Sequence, residues 1–230
     1  MINLPQIHDE PDPIRRRNAP GALEFALTDT RERTAAIRRG SGLFASSELA
    51  AEIEALRLHA LAAGLRREFE VLNREPDAFG YEHQVWFQNA GAEPCVLKAT
   101  YPDTFGHLPN GKHCLPTEYL ERLLLQNEVF GDDIRLEGIV LEMINSCRIV
   151  TSQPAVHGRF ATPEEISSFF LSRGFTAVKR KGRLLWWRNS DNVVCADTHG
   201  GNILVTESRQ FVAIDVSVMR DMDFAIQAAD

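Results

Sequence analysis

Residues 193–216 restrict the fold more than any other part of the chain. They read V-V-C-A-D-T-H-G-G-N-I-L-V, then a polar turn, then F-V-A-I-D-V. Apolar, β-rich runs on either side of residues 206–210 predict a loop that feeds a hairpin. That frame puts Asp197, His199 and Asn202 at one end of the first strand and Asp215 in the second. Two carboxylates and an amide oxygen beside Gly200-Gly201 suit a divalent cation and a phosphate. Two other readings use the same residues. An Asx-rich turn would have Asp197 and Asn202 satisfying backbone donors only. Chelation would use Cys195, Asp197 and His199, which alternate along an extended chain but lack a fourth ligand at suitable spacing.

The rest of the chain narrows the choice. A length of 230 residues allows one large domain or two small lobes. Apolar content of 44% with 25% charged residues is ordinary for a soluble globular protein. The net charge of −7 argues against a nucleic-acid or bilayer-surface binder, which would need a basic excess. No run approaches the roughly 20 apolar residues of a membrane span, and residues 1–10 lack the apolar core of a signal peptide. The four cysteines, Cys95, Cys114, Cys147 and Cys195, form no C-x-x-C pair. A cytoplasmic protein with reduced thiols is the expectation.

In chain order, residues 1–45 carry prolines, glycines and arginines interleaved with acids and show little periodicity. They are expected to form a flexible arm, a place where a protein partner would be met. Ser46 and Ser47 offer an N-cap, and Leu49, Ile53, Leu56 and Ala60 recur at helical spacing up to Gly64. Residues 69–72, 84–87 and 95–100 read as three short strands, with a turn at 89–92. Residues 102–114 form a loop, and 118–129 are helical as far as Gly131. Residues 136–143 and 148–152 follow as strands around a turn at Asn145-Ser146. Thr162-Pro163-Glu164-Glu165 has the form of a capping box with proline at the first helical position. Residues 175–178 and 184–187 are extended, joined by a basic turn at 179–182. Lys98 is unusual on its own terms, because a lysine inside the apolar strand V-L-K-A needs an anionic partner or an escape to water.

Asp197-Thr198-His199-Gly200-Gly201-Asn202 matches D-x-H-x-G-N, with Ile214-Asp215 following a strand and a turn. This combination resembles the catalytic loop and metal-binding Asp of aminoglycoside-phosphotransferase-like and related atypical kinases. Asp and Asn five apart also reproduce the protein-kinase catalytic loop. With G-Y-E-H-Q-V, V-L-K-A-T, E-Y-L-E-R-L-L-L-Q-N-E-V-F-G-D-D and T-S-Q-P, residues 66–220 resemble the kinase domain of phage and mobile-element polyvalent proteins.

The resemblance implies an α+β, reduced two-lobed protein-kinase-like fold. Residues 46–153 would hold the N-terminal helix and an N-lobe of five antiparallel strands and one helix, and residues 154–230 a minimal C-lobe. It implies Asp197 as catalytic base, Asn202 and Asp215 as Mg²⁺ ligands, and His199 as a structural or phosphate-side member of the loop. Lys98 would contact the phosphates of ATP, paired with Glu118 or Glu121, between which helix phase does not decide. Gly80 would lie in the phosphate-covering loop of residues 76–83, which has one glycine instead of three. Gln153 would lie at the hinge between lobes, whose backbone would pair with adenine. Two departures stand out: Cys195-Ala196 precedes the catalytic Asp where His or Arg is usual, and Asp215-Val216-Ser217 stands for D-F-G.

The leading expectation is an atypical small kinase that transfers the γ-phosphate of ATP to a protein or small-molecule hydroxyl, with Mg²⁺. The alternatives are a nucleotide-binding pseudokinase module, and a metal-dependent hydrolase built on Asp197, His199 and Asp215.

Overall fold

The computed structural model describes residues 21–40, 47–66, 70–88, 94–108, 112–143, 146–180 and 182–221. Helices α1 (Ala22–Gly40) and α2 (Glu48–Ala62) precede a short 3₁₀ turn at Glu70–Asn73. Strands β1 (Ala78–Phe79), β2 (His83–Gln88) and β3 (Cys95–Thr100) lead to α3 (Pro116–Phe130), then β4 (Arg135–Met143) and β5 (Ser146–Pro154). The second half holds β6 (Arg159–Phe160), α4 (Pro163–Leu171), β7 (Thr176–Arg180), β8 (Arg183–Arg188) and β9 (Val193–Ala196). A 3₁₀ turn at Gly200–Asn202 then leads to β10 (Ile203–Val205), β11 (Phe211–Ala213) and β12 (Ser217–Arg220). The architecture is mixed α+β with antiparallel sheets.

The first sheet has the order β1-β2-β3-β5-β4. In its register Lys98 lies between Val85 and Thr151, while Leu97 pairs with Trp86 and Ser152. Because side chains alternate along a strand, the Lys98 row and the Trp86–Leu97 row face opposite ways. Trp86, Leu97, Ala99 and Val150 form a small buried cluster with Leu72 of the first 3₁₀ turn against it. The larger core lies under the helices. Leu23, Ala26 and Leu27 of α1 and Ile53, Leu56 and Ala60 of α2 join Tyr119, Leu120 and Leu123 of α3 over Leu136, Ile139, Cys147 and Ile149.

A second core gathers Ile166, Phe169 and Phe170 of α4 with Phe175, Trp186, Cys195, Ile203, Val205 and Val218. Phe170 stacks on Trp186 at 4.9 Å between centroids and meets Phe175 edge-on at 5.4 Å. This core lies between the sheet β12-β9-β8-β7 and the sheet β11-β10-β6. Leu125 belongs to it, so α3 contributes to both cores from successive turns.

Helix boundaries follow local chemistry. Ser47 accepts from Ala50 N at 3.2 Å, the expected cap of α2. At α4, Thr162 Oγ1 accepts from Glu165 N, and the Glu165 carboxylate accepts from Thr162 N, which closes the capping box. Gly131 ends α3 in the left-handed conformation at φ 68°. The first turn of α3 receives a carboxylate from another helix, because Glu52 of α2 accepts from Thr117 N at 2.9 Å.

Two expectations are corrected. Residues 22–40 of the expected arm form α1, whose buried side of Leu23, Ala26, Leu27, Thr30 and Thr34 is taken up inside the molecule. Asp29 binds His59 of α2 at 2.7 Å, and Arg31 binds Glu121 of α3 at 2.6 Å. The buried side of this helix is therefore already occupied within the molecule; residues 1–20 and 41–46 lie outside the described residues. The strand expected at 69–72 is instead the Glu70–Asn73 turn, and the fifth strand is β1. The turns expected at 89–92 and at Asn145 lie outside the described residues.

Candidate active site

The backbone of one residue, Ile214, joins the first sheet to the β10–β11 hairpin. Ile214 N–H donates to Asn202 O at 2.9 Å, extending the hairpin ladder past Ala213. Ile214 C=O accepts from Lys98 Nζ at 3.0 Å and from Gln153 Nε2 at 3.2 Å. Lys98 also reaches Asp215 Oδ1 at 3.4 Å. Lys98 and Gln153 project from β3 and β5, so the register of the first sheet brings both donors to one carbonyl. The Asp215 side chain keeps 51% of its surface exposed, against 13% for Lys98. Burial by neighbouring groups would raise the Asp215 carboxyl, but the Lys98 ammonium and other nearby positive charge outweigh it and hold it below its ordinary value.

The loop between β9 and β10 is fixed from within. Asp197 adopts a left-handed backbone at φ 57°, uncommon for a residue with a Cβ. Asn202 Nδ2 donates to Asp197 O at 2.8 Å and to Asp197 Oδ2 at 2.9 Å, and these bonds hold the strained turn closed. His199 Nδ1 accepts from Gly201 N at 3.0 Å, and its Nε2 lies 3.4 Å from Asp197 Oδ1. Asn202 is buried, whereas the Asp197 and His199 side chains are mostly exposed. A carboxylate anchored on one oxygen and open to solvent on the other side can accept a proton from an incoming hydroxyl. Gly200 lets the loop approach β6: a Cβ there would sit 2.7 Å from Ala161 O.

The glutamate expected to pair with Lys98 is not found on α3. Glu118 reaches back to Leu115 N at 2.7 Å as part of the helix start, and Glu121 is bound to Arg31. Glu128 pairs with Arg220 at 2.8 Å. From α3, Tyr119 meets the first residue of β2 and, one turn on, Arg122 meets Glu82 in the link before it. Tyr119 Oη lies 2.8 Å from His83 Nε2, and both side chains are buried. Burial pushes His83 down to about 4 and Tyr119 well above its ordinary range, so both are neutral at neutral pH. Arg122 binds Glu82 at 3.1 Å. Burial works against its guanidinium charge, but Glu82 and Cys114 raise its pKa above the ordinary arginine value.

Gly80 lies between β1 and β2, its N–H on His83 O at 2.8 Å and its carbonyl accepting from Tyr101 Oη at 3.0 Å. Gln153 is at the end of β5, but its side chain points to Ile214 O; Ala155 N donates to Pro94 O just beyond. The side chains at this contact that the sequence reading did not single out are Glu82, His83, Tyr119 and Arg122. Helix phase does not single them out, because Glu118 and Arg122, four apart, lie on one face; the assignment comes from where Glu82 and His83 meet the helix.

Comparison with known families bears on this geometry directly. Residues 51–220 match the model of Kinase-PolyVal, a serine/threonine/tyrosine kinase found in polyvalent proteins. The chain belongs to the Kinase-PolyVal family. No curated protein and no solved structure matches it, so the likeness to aminoglycoside phosphotransferases rests on the D-x-H-x-G-N spacing alone. The Kinase-PolyVal match begins inside α2, next to the Glu52 carboxylate that caps α3, and ends with β12.

Kinase families use ATP and a divalent metal, and the donor set here fits that pairing. Asp215 and Asn202 offer hard oxygen donors on adjoining segments, as Mg²⁺ requires. Among the described residues no group of three or more His, Cys, Asp or Glu side chains could hold a metal ion without further ligands. Asp197, His199 and Asp215 are therefore not gathered into such a group. A cation here would complete its shell with water and phosphate oxygens, as in nucleotide sites. Chelation through Cys195 is also disfavoured, because its side chain is fully buried in the second core while the Asp197 and His199 side chains are mostly exposed. The four cysteines are free and buried, and no helix among the described residues is long and apolar enough to cross a membrane.

Proposed function

We propose that this Kinase-PolyVal chain is an ATP- and Mg²⁺-dependent phosphotransferase acting on a hydroxyl acceptor. The observation that carries it is the Ile214–Asp215 junction. Lys98 and Gln153 from one sheet and Asn202 from the hairpin converge on the backbone of a single residue, Ile214, leaving Asp215 at the mouth between them. Residues 46–153 would serve as the upper lobe and 154–230 as a reduced lower lobe, with α3 bracing both.

Lys98 would exchange its Asp215 contact for the phosphates of ATP, and Asp215 and Asn202 would hold the cation. That cation supplies charge neutralisation for the β- and γ-phosphates. Asp197 would accept the hydroxyl proton as the acceptor oxygen bonds to the γ-phosphorus and the bond to the β,γ-bridging oxygen breaks, releasing ADP. His199, 3.4 Å from the Asp197 carboxylate, would hold it in place. Gly80 would bring backbone amides of the β1–β2 hairpin over the phosphates, and the chain after Gln153 would face adenine.

The test is thermal unfolding with Mg-ATP, combined with turnover. The wild type is expected to melt higher with Mg-ATP, the Asp215→Ala variant to show no shift, and the Asp197→Ala variant to keep the shift but lose transfer. No shift in a folded wild type at millimolar nucleotide overturns the proposal. A nucleotide-binding module without transfer is the second reading, favoured by the absence of an α3 glutamate beside Lys98. It would be supported by a shift without turnover in the wild type.

A further inference from the structure

Kinase folds tie a helix to the sheet through a lysine–glutamate pair; here α3 takes hold of a different part of the cleft. We propose that Arg122 and Glu82 are the positioning pair that couples α3 to the hairpin over the phosphate site. This inference rests on the phosphotransfer reading.

Glu82 lies in the link between β1 and β2, two residues after Gly80. Its Oε2 accepts from Arg122 Nη2 at 3.1 Å and its Oε1 from His107 N at 2.8 Å. Arg122 Nη1 in turn donates to His107 O at 2.9 Å. Three segments are thus closed into one ring of bonds: the hairpin tip, the loop before α3, and α3 itself. Ser217, two residues beyond Asp215, donates to the same His107 carbonyl at 3.3 Å, so the ring also touches the metal-side strand.

The backbone makes room for this pair. Gly106 has φ +78°, and a Cβ there would lie 2.5 Å from the Glu82 carboxylate and 2.8 Å from Arg122 Nη1. With side-chain exposures of 10% for Arg122 and 19% for Glu82, the pair lies largely out of water, where the geometry of a forked guanidinium is most restrictive. Glu118, Glu121 and Glu128 are held by Leu115, Arg31 and Arg220 respectively. Arg122 is therefore the charged side chain by which α3 holds the hairpin, and a shift of α3 moves the phosphate cover rather than Lys98.

The experiment uses the full chain. Hydrogen exchange of the apo protein and steady-state kinetics with Mg-ATP are compared for the wild type, Arg122→Gln, Arg122→Lys and Glu82→Gln. Arg122→Gln is expected to speed exchange at residues 80–83 and 107 only. It should raise KM for Mg-ATP about tenfold, the size of an ordinary coupling between linked sites, with kcat near the wild-type value. Arg122→Lys, which keeps the charge but not the fork, should recover part of the KM. If Arg122→Gln does not fold, Arg122→Lys and Glu82→Gln carry the same test. Unchanged exchange and KM, or a loosening spread over the whole chain with kcat and KM falling together, overturns the inference while leaving phosphotransfer intact. A wild type that neither binds nor turns over Mg-ATP overturns the phosphotransfer reading and the positioning role with it. Faster exchange at the hairpin in that case leaves a structural brace only.

Discussion

Acidification should weaken this protein through one buried imidazole. His83 donates or accepts one hydrogen bond, at Tyr119 Oη, and burial pushes its pKa down to about 4 from 6.5. A histidine depressed in this way binds fewer protons folded than unfolded between those two values. Its stabilisation is therefore complete above pH 6.5 and drains away as pH falls toward 4. The linkage integral from about pH 7.5 to about pH 5 comes to about 2 kcal/mol. Carboxylates with lowered values, such as Asp215, lose their contribution only below the ordinary carboxylate range, so they leave this window untouched. Glu52 and Asp132, raised by burial, act in the opposite direction, which makes a difference measurement necessary. Urea unfolding followed by tryptophan fluorescence, without nucleotide or metal, should be run on the wild type and on His83→Gln. Glutamine keeps a polar partner for Tyr119 but does not titrate. Between the two pH values the wild type should lose about 2 kcal/mol more than the variant. Parallel pH slopes for the two proteins would refute the assignment of a neutral, buried His83.

Two further outcomes follow from backbone geometry. Thr162→Ala removes the hydroxyl half of the α4 capping box and should cost about 1 kcal/mol in urea unfolding, with Thr162→Ser restoring most of it. Gly200→Ala forces a Cβ against Ala161 O at 2.7 Å and should displace the Gly200–Asn202 turn. About 1–3 kcal/mol of stability should be lost along with the Mg-ATP thermal shift, and an unaltered shift would show that the turn does not set the position of Asn202.

The readability of this chain varied with how strongly each segment contrasts apolar and polar positions. Strands β2 and β3 and the starts of α2, α3 and α4 were legible because period and capping chemistry coincide there. Helix α1 was not: its buried stripe of Leu23, Ala26, Leu27, Thr30 and Thr34 ends in threonines and sits among arginines and acids, so the apolar period is faint. Strand β1, two residues long, has no period at all. The D-x-H-x-G-N spacing put Asp197 and Asn202 in one turn because that is a local pattern; the contact of Lys98 with Asp215, far apart in sequence, arises from the docking of the first sheet on the hairpin and was not legible. The partner of Lys98 was not legible, since rival demands settle it. Leu115 and Arg31 claim Glu118 and Glu121, and both claims depend on where α1 and the start of α3 lie.

The Ile214 junction has a consequence for how this site tolerates change. Its connections run through a peptide N–H and C=O, which every residue except proline possesses. An alanine scan would pass over position 214 as nearly silent on the cleft, and relatives are free to drift there in side-chain identity while keeping the two sheets joined. Proline alone would sever the bond to Asn202. Sequence variability at this position is thus a poor guide to its structural weight.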